Sequence, residues 1–417
     1  MADYKEIDAC RICGSSRLIP ILELGCQALT GVFPKSREEK ITAGPIELVK
    51  CDESGGADAC GLVQLRQSYS KAEMYGSNYG YHSSLNRSMV EHLEDVVRRL
   101  TADIKPERGD IVLDIGSNDA TLLKAYPHGA GLELTGIDPT GEKFRKYYPP
   151  HIRLIADFFT RESFAAAFPE RQAKIVTSIA MFYDLDSPID FMREVRSILH
   201  PEGVWVMEQS YLPAMLDATA YDTICHEHLE YYGLRQIRWM AERSGLKILD
   251  VETNDINGGS FAVRLARQDS ARPENSPAIE KLLRQEEALA EMRPYEAFRE
   301  RVLRQRESLV EFLRQAKAEG KRVLGYGAST KGNVILQYCG LTEADIPCIG
   351  EVNTEKFGCF TPGTRIPIVD EKQARADQPD YLLVLPWHFK SFFLKKETDF
   401  LRAGGKLVFP LPQIEIH

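Results

Sequence analysis

The segment YDTICHEHLEYY, residues 221–232, concentrates side chains that can transfer protons: two histidines, two glutamates and three tyrosines. His226 and His228 flank Glu227, so one interpretation is a metal site. The other is a general acid and base acting on an oxygen-rich substrate, because imidazole titrates near neutral pH and a nearby carboxylate can orient it. Residues at i and i+2 share a face only on a strand, and no further ligand is close in sequence. The acid/base interpretation is therefore favoured.

Five of the nine cysteines lie within the first 60 residues, and four of them form two pairs: Cys10 and Cys13 in CRICGS, and Cys51 and Cys60 in a C-x8-C spacing. Two thiolate pairs are the ligand set of a tetrahedral zinc ion, although the second pair is wider than in the usual zinc ribbon. A segment this short, with few large apolar side chains, gains stability from a metal. A closed site of four thiolates has no position for a substrate, so we predict a structural zinc ion. Unrelated reduced cysteines are the alternative.

From about residue 105, short apolar runs alternate with helical stretches. The predicted strands are IVLDIGSND, LTGIDPT, IRLIADFF, KIVTSIAMFY and GVWVMEQSYL, followed by LKILDVETND and GSFAVRLAR around the turn INGG. This alternation predicts a parallel sheet with helices on both faces, and the close-spaced final pair predicts a hairpin at one edge. Ligands of such sheets bind outside the carboxyl ends of the strands.

Polar residues follow the first three of these strands. The first turn holds a single glycine, so the G-x-G-x-x-G dinucleotide motif is absent, and Asp114 there can face an amine-bearing ligand. Asp138, after the second strand, suits a ribose diol, and Asp157 with Phe158 after the third could read an adenine. A nucleoside pocket without a pyrophosphate cradle indicates S-adenosylmethionine rather than NAD, unless the two aspartates only cap turns. The candidate cofactor residues at these ends are Asp114, Gly116, Asn118, Asp138, Asp157 and Phe158.

The ordered strand-end residues resemble class I S-adenosylmethionine-dependent methyltransferases. A narrower resemblance covers nearly the whole chain: the cysteine module, the core, the CHEHLEYY segment and an α/β C-terminal half are similar to bacterial nucleotide-sugar C-methyltransferases, which make branched deoxysugars. The motifs that carry it are CRICG, YGSNYGYHSSLNRSM, DIGSND, YDTICHEHLEYY, NGGS and GYGASTKGN.

This resemblance implies a reaction on a 4-keto sugar attached to a nucleoside diphosphate. A base removes the proton at C3, and the resulting enolate attacks the sulfonium methyl group; such a carbon acid needs a positioned base and stabilisation of the enolate oxygen. By the match to the family's Glu-His pair, His228 is the expected base and Glu227 its neighbour, with His226 as the alternative base. Glu227 could instead bind a sugar hydroxyl.

The segment MYGSNYGYHSSLNRSM precedes the core. Tyr79 and Tyr81 could bond the sugar or its enolate oxygen, and Ser84 and Asn86 could close over the methionine part of the cofactor. Alternatively, the tyrosines only pack the N-terminal module against the core.

The sequence departs from the family at two places near the expected site. Family members often carry a tyrosine where Cys225 stands, and a histidine after the fourth strand, where this chain has MFYDLDSP. Tyr183 or Asp184 could take the role of that histidine. These departures leave open the sugar, its configuration and the methylated carbon.

In the C-terminal half, residues 271–318 predict one or two amphipathic helices that act as a spacer. The stretch KRVLGYGASTKGNVILQYCGL then predicts a strand, a glycine turn and a helix whose N-terminus could hold a diphosphate. Its glycines do not fit the dinucleotide motif, although NAD remains the competing interpretation. The candidate substrate-binding residues of this half are Ser329, Thr330, Lys331, Asn333, Asn353, Lys356, Trp387 and His388.

Composition limits the other possibilities for this chain of 417 residues. A net charge of −9 argues against non-specific nucleic-acid binding, and no apolar run approaches the ~18 residues that span a bilayer. The charged start lacks the apolar region of a signal peptide. We expect a cytoplasmic monomer or weak homo-oligomer with a nucleotide-sugar substrate and without nucleic-acid or membrane partners.

We therefore predict an α/β protein: a small zinc-ribbon-like module at 1–68, a class I methyltransferase Rossmann-like core at 69–270, and at 271–417 the spacer with a second Rossmann-like domain that binds the nucleotide sugar. The predicted function is S-adenosylmethionine-dependent C-methylation of a nucleotide-linked keto-sugar. The alternatives are a methyltransferase for another small molecule and a non-catalytic zinc-ribbon and nucleotide-binding assembly protein.

Overall fold

A computed structural model describes residues 4–56, 58–70, 74 and 82–417. Tyr79 and Tyr81 lie outside these residues, so their predicted contacts with the acceptor stay predictions. Within the described residues, the strands form sheets of two, four, six and seven strands.

The strands are β1 (Tyr4–Glu6), β2 (Leu18–Ala28), β3 (Ala43–Cys51), β4 (Val63–Leu65), β5 (Gln67–Tyr69), β6 (Ile111–Ile115), β7 (Glu133–Ile137), β8 (Ile152–Ile155), β9 (Ala173–Ile179), β10 (Leu199–Ser210), β11 (Glu230–Tyr231), β12 (Leu246–Asn254), β13 (Ser260–Arg267), β14 (Val323–Tyr326), β15 (Ile349–Glu351), β16 (Ile368–Asp370), β17 (Tyr381–Val384), β18 (Lys406–Phe409) and β19 (Glu415–Ile416).

The α-helices are α1 (Arg87–Ile104), α2 (Thr121–Lys124), α3 (Gly141–Phe144), α4 (Arg161–Ala167), α5 (Pro188–Ile198), α6 (Leu212–Asp217), α7 (Leu234–Arg243), α8 (Ser276–Gln285), α9 (Arg293–Ala318), α10 (Thr330–Tyr338), α11 (Glu371–Ala376), α12 (Lys390–Lys396) and α13 (Thr398–Arg402). The 3-10 turns that matter below are Ser83–Leu85, Phe182–Asp184, Tyr221–Thr223 and Trp387–Phe389.

The central sheet has the order β12-β13-β10-β9-β6-β7-β8. Its five strands from β10 to β8 are parallel, and β13 is antiparallel to both β10 and β12. All five residues of β6 are buried, because helices cover both faces of the sheet and no solvent-facing alternation is needed. The predicted strands and terminal hairpin are thus confirmed. Strand order reverses between β6 and β9, and this switch point opens a crevice for a ligand.

The N-terminal sheet has the order β11-β4-β3-β2, with all neighbours antiparallel. Its fourth strand, β11, begins only two residues after His228, so the segment that carries the candidate base also completes the sheet of the N-terminal module. Leu229 further accepts a backbone hydrogen bond from Leu65, at 2.9 Å. The position of the candidate base therefore depends on this module as well as on the central sheet.

The C-terminal sheet has the order β16-β15-β14-β17-β18-β19, parallel except for β19. A glycine turn joins β14 to α10, as predicted, and it lies at the centre of this sheet. The predicted spacer is two helices, α8 and α9. Directly after α8, the buried Glu286 accepts hydrogen bonds from the amides of Leu234 and Arg235, at 2.7 and 2.9 Å, at the start of α7. The end of α8 thus packs against the part of the chain that forms the central sheet, whereas α9 packs against the C-terminal sheet. The predicted boundary at residue 270 stays a prediction.

Among the described residues, no helix is both long and apolar enough to cross a bilayer.

Candidate active site

The four N-terminal cysteines converge on one point. The sulfurs of Cys10 and Cys60 lie 3.5 Å apart, those of Cys13 and Cys51 lie 3.4 Å apart, and all four lie within 4.8 Å of one another. These separations are much longer than a disulfide bond and close to the edge of about 3.8 Å in a tetrahedron of zinc-bound sulfurs. Gly14, at φ +73°, closes the turn after the first pair. The four cysteines thus fit a structural zinc ion, as the sequence predicts.

A cavity of about 360 Å³ lies at the carboxyl ends of β6 to β9, at the switch point of the central sheet. Five of the predicted cofactor residues line it: Asp114, Gly116, Asn118, Asp138 and Phe158. Asp157 is exposed, and its Oδ1 accepts a hydrogen bond from the Phe158 amide at 2.7 Å. Most residues predicted to bind a nucleoside thus line one cavity, with the exposed Phe158 among them, while their role toward a nucleoside stays a prediction.

The Asp114 carboxyl is buried at the end of β6. Burial raises its pKa to about 7, the nearby Asp138 carboxylate adds to this, and a hydrogen bond of 2.6 Å from the Thr177 hydroxyl acts in the opposite direction. A cationic group in the cavity would favour its ionised form. Gly116, at φ +74°, makes the following turn, and a Cβ there would lie 3.1 Å from Met181. The turn thus needs glycine for both conformation and space.

The turn residues hold the Asp138 carboxylate in one orientation. Its Oδ2 accepts from the Asn118 amide at 2.7 Å, and its Oδ1 accepts from the amide and the hydroxyl of Thr140 at 2.7 and 2.5 Å. A carboxylate has about four acceptor positions, so one remains for a ligand hydroxyl.

The 3-10 turn Ser83–Leu85 is tied to the strand-end loop of β6. Asn118 accepts a hydrogen bond from the Ser83 amide, and Asp119 accepts one from the Ser84 amide, both at 3.1 Å. It is Ser83 that lines the cavity, whereas Ser84 is exposed. Asn86 accepts from the Ser88 amide at 3.0 Å and caps α1. Sequence reasoning missed Ser83 and Asp119, although both belong to motifs that it quoted.

His228 has the geometry of a base. Its Nδ1 lies 2.7 Å from the carbonyl oxygen of Thr223, and the Thr223 hydroxyl is more distant, at 3.3 Å. A carbonyl can only accept, so in the neutral ring Nδ1 carries the proton and the lone pair is on Nε2. The Tyr183 ring packs edge-on against the imidazole at 4.4 Å between centroids. Tyr183 is thus beside the base, whereas Asp184 lines the cofactor cavity.

His226 is directed away from that side, into the contact with the N-terminal module. It is 1% exposed, its Nε2 donates to the Gln27 carbonyl at 3.1 Å, and its ring contacts that of Tyr69 at 4.6 Å. Burial lowers the pKa of His226 to about 4, against the effect of the Gln27 carbonyl. Across the described residues, the cysteine cluster alone groups three or more side chains closely enough for a metal. The geometry therefore favours His228 over His226 as the base and gives no support to a metal at these histidines.

Glu227 contacts a loop of the N-terminal module. A Cβ on Gly31 would lie 2.4 Å from Glu227 Oε1, so this carboxylate rests directly on the glycine backbone. Burial raises the pKa of Glu227, and the neighbouring His228 opposes that rise. Cys225 is buried, and burial raises the pKa of its thiol to about 12, so the thiol stays protonated near neutral pH.

Lys331 brings the C-terminal domain to the same region. Its Nζ donates to the carbonyl of Asn257, in the INGG turn, at 2.9 Å. Burial raises the pKa of Asp222, and the charge of Lys331 and a hydrogen bond from Trp387 oppose this. Burial also holds the pKa of His388 well below its usual range, and Lys331 lowers it further. Lys331, Trp387 and His388 therefore meet Asp222 where the two domains join.

The other candidate substrate residues make contacts within the protein. Ser329 accepts from the Gly332 amide at 3.0 Å and caps α10, whose first residue is Thr330. Asn333 donates to the Thr30 carbonyl at 2.8 Å. The Asn353 side chain accepts from the Glu355 amide at 3.0 Å. Lys356 donates to the Ala328 carbonyl at 2.7 Å. Their roles toward a substrate stay predictions.

An acidic side chain occupies the glycine turn after β14. Glu351 accepts from the Ala328 amide at 2.8 Å. This carboxylate stands where a dinucleotide fold uses a free amide for pyrophosphate, so the arrangement disfavours NAD. Sequence reasoning missed Glu351, which lies 23 residues from the turn and carries no motif.

Three family models match successive parts of the chain: "Putative zinc binding domain" at residues 10–75, "Methyltransferase domain" at 86–251 and "C-methyltransferase C-terminal domain" at 255–412. C-methyltransferase NovU from Streptomyces niveus is 31% identical over 414 residues, which covers 98% of this chain and 96% of NovU.

Similar solved structures include the CcbJ methyltransferase from Streptomyces caelestis, at 14% identity over 42% of this chain and 89% of that chain with a TM-score of 0.33. An S-adenosylmethionine-dependent methyltransferase from Clostridium acetobutylicum is 12% identical over 43% of this chain and 92% of that chain, also with a TM-score of 0.33. Likeness at this level carries no argument, and the assignment depends on the family models and on the relative. The chain belongs to the S-adenosylmethionine-dependent C-methyltransferases.

Proposed function

We propose that this enzyme methylates a carbon next to the ketone of a nucleotide-linked sugar, through an enolate that His228 generates. The observation that carries the proposal is the bond of His228 Nδ1 to the Thr223 carbonyl. In the neutral imidazole this bond leaves the lone pair on Nε2, on a side chain that is partly exposed. A neutral imidazole held in one tautomer is the group that carbon-acid chemistry near neutral pH requires.

In this proposal, S-adenosylmethionine supplies the methyl group as an electrophile. Asp114 holds the α-ammonium of the methionine part, Asp138 accepts from a ribose hydroxyl, and the exposed Phe158 ring packs on the adenine. Each role fits the chemistry of the cavity wall: a buried carboxyl that needs a cation, a carboxylate with one acceptor position left, and an exposed aromatic ring.

The proton of the acceptor carbon moves to His228 Nε2, and the electron pair of the broken C–H bond passes into the enolate. The imidazolium that forms keeps its Nδ1–H on the Thr223 carbonyl. Glu227 stabilises this cation or accepts from a sugar hydroxyl; both fit a partly exposed carboxylate whose side chain is held against Gly31. Tyr183 packs on the imidazole and limits its rotation.

The nucleotide part of the acceptor lies, in this proposal, against the C-terminal domain. Lys331 supports it, because an ammonium has three donors and the Asn257 carbonyl takes one of them. The start of α10 at Ser329 and Thr330 adds the partial positive charge of a helix N-terminus. Because Glu351 occupies the Ala328 amide, we expect the diphosphate at Lys331 and the start of α10, outside the part of the glycine turn that a dinucleotide would use.

The test is methyl transfer from labelled S-adenosylmethionine to a panel of nucleotide keto-sugars, with other enolisable small molecules as comparison acceptors. We expect transfer to at least one keto-sugar and its loss in both His228→Asn and His228→Ala. The matched control is His128→Asn, at an exposed histidine remote from the cavity, which should keep the full rate. Near-normal turnover in both His228 variants, or transfer only to the comparison acceptors, would refute the proposal.

A further inference from the structure

The turn Tyr221–Thr223 joins the candidate base to the C-terminal domain. Its last residue, Thr223, accepts the Nδ1 hydrogen bond of His228 through its carbonyl. Its first residue, Tyr221, donates from its hydroxyl to Gln305 Oε1 on α9 at 2.7 Å. The contact with His228 and the contact with the C-terminal domain are thus made by residues of one three-residue turn.

The middle residue of the turn, Asp222, is 0% exposed. Its Oδ2 accepts from Trp387 Nε1 at 2.7 Å, across 165 residues of sequence. Its Oδ1 is buried and has no hydrogen-bond partner in the described part of the chain. The carboxyl group therefore depends on the Trp387 bond for its position, because the charge of Lys331 acts on it without a direct hydrogen bond to hold its orientation.

We propose that Trp387 is a positioning residue for the reaction: by holding Asp222 from the C-terminal domain, it fixes the Thr223 carbonyl and so keeps the proton of His228 on Nδ1. The inference rests on the proposed role of His228. A carbonyl that moves away from Nδ1 no longer selects the tautomer, and a proton on Nε2 removes the base. Catalytic side chains must be held within about 0.5 Å of their productive position, and supporting hydrogen bonds of this kind hold them there.

The test separates proton removal from methyl transfer. The unmodified enzyme and its variants are incubated in D2O with the keto-sugar accepted in the methyl-transfer assay and with S-adenosylhomocysteine, and deuterium incorporation next to the ketone is followed by NMR. Trp387→Phe keeps a ring but lacks the donor. We expect its exchange rate and its kcat for methylation to fall between about 10-fold and about 100-fold, with KM for the acceptor and for S-adenosylmethionine unchanged.

The chain has three tryptophans and therefore offers matched controls. Trp239 lies on α7 and its Nε1 has no hydrogen-bond partner among the residues that the structure describes, so Trp239→Phe should keep the full exchange rate. Trp205→Phe removes an indole bond of 2.9 Å to Ser178 in the central sheet and serves as a control for lost stability. Its melting temperature should fall at least as far as that of Trp387→Phe, while its exchange rate falls less.

Variants of Asp222 complete the test. Asp222→Ala should lower exchange as Trp387→Phe does, and the double variant should be no worse than the more damaging single change, because both break one interaction. Asp222→Asn keeps an acceptor for Nε1 and should recover most of the rate lost in Asp222→Ala.

Two results would overturn the inference alone: normal exchange in Trp387→Phe, or a raised acceptor KM with unchanged kcat, which would make Trp387 a contact of the acceptor. Absence of exchange in the unmodified enzyme would overturn the proposed enolate and the inference together.

Discussion

Replacing Gly31 with alanine tests whether the N-terminal module shapes the acceptor site. The added Cβ would lie 2.4 Å from Glu227 Oε1, whereas ordinary van der Waals contact begins near 3.4 Å, so the carboxylate must move by 3.4 − 2.4 = 1.0 Å. The clash involves the end of a flexible side chain. We therefore expect the free energy of unfolding to change by less than about 0.5 kcal/mol.

Function should respond much more strongly than stability. A displacement of about 1 Å at a catalytic group costs up to about 100-fold in rate, and a 10- to 100-fold loss corresponds to about 1.4 to 2.7 kcal/mol of lost transition-state stabilisation. We expect kcat/KM for the acceptor to fall within this range in Gly31→Ala, while the affinity for S-adenosylhomocysteine, measured by calorimetry, stays unchanged.

The matched control for this experiment is Gly405→Ala, which creates a comparable clash in the C-terminal domain. Its Cβ would lie 2.3 Å from the Phe400 ring, before the amino end of β18 and away from the site. This variant should lose stability and keep its kcat/KM. If Gly31→Ala lowers activity only by displacing the Glu227 carboxylate, the two changes are not independent. The double variant Glu227→Gln with Gly31→Ala should then lose less transition-state stabilisation than the sum of the two single losses. Unchanged kcat/KM in Gly31→Ala would refute a role for the Glu227 position.

Three further outcomes are expected. Burial raises the pKa of Asp114 to about 7, and a cationic methyl donor binds the ionised carboxyl, so affinity for S-adenosylmethionine should rise about 10-fold from about pH 6 to about pH 8 and then level off. Calorimetry at several pH values measures this. An affinity that does not change with pH, or a pH dependence that remains in Asp114→Asn, would contradict the assignment. The purified protein should hold about one equivalent of zinc by metal analysis, and Cys60→Ser should lower both metal content and thermal stability; less than half an equivalent in the unmodified protein would argue against the site. Asn86→Ala should cost about 1 kcal/mol by chemical denaturation and leave donor affinity unchanged if Asn86 only caps α1, whereas weaker donor binding would show the predicted cofactor contact.

Structural features that depend on short stretches of sequence were predictable. The strands of the central sheet, its terminal hairpin and the glycine turn after β14 follow from hydrophobic runs and turn residues, and the structure confirms them. Most strand-end cofactor residues could be named because every parallel strand delivers its following residues to the same edge. Asp157 shows the limit of this rule, since it follows β8 and yet does not line the cavity.

Local patterns were enough to predict the strand ends and the cysteine pairs, because backbone preferences and ligand spacing act over a few residues. Packing between distant segments determines which of the two neighbouring histidines is buried against the N-terminal module and which stays partly exposed. His226 bonds to Gln27, which lies 199 residues away in the chain, and this contact buries it, whereas His228 bonds to Thr223 within its own segment. The support of Glu227 by Gly31 and of Asp222 by Trp387 has the same origin. Side-chain direction in an irregular segment is determined by whichever distant surfaces pack on it, and no local pattern records them.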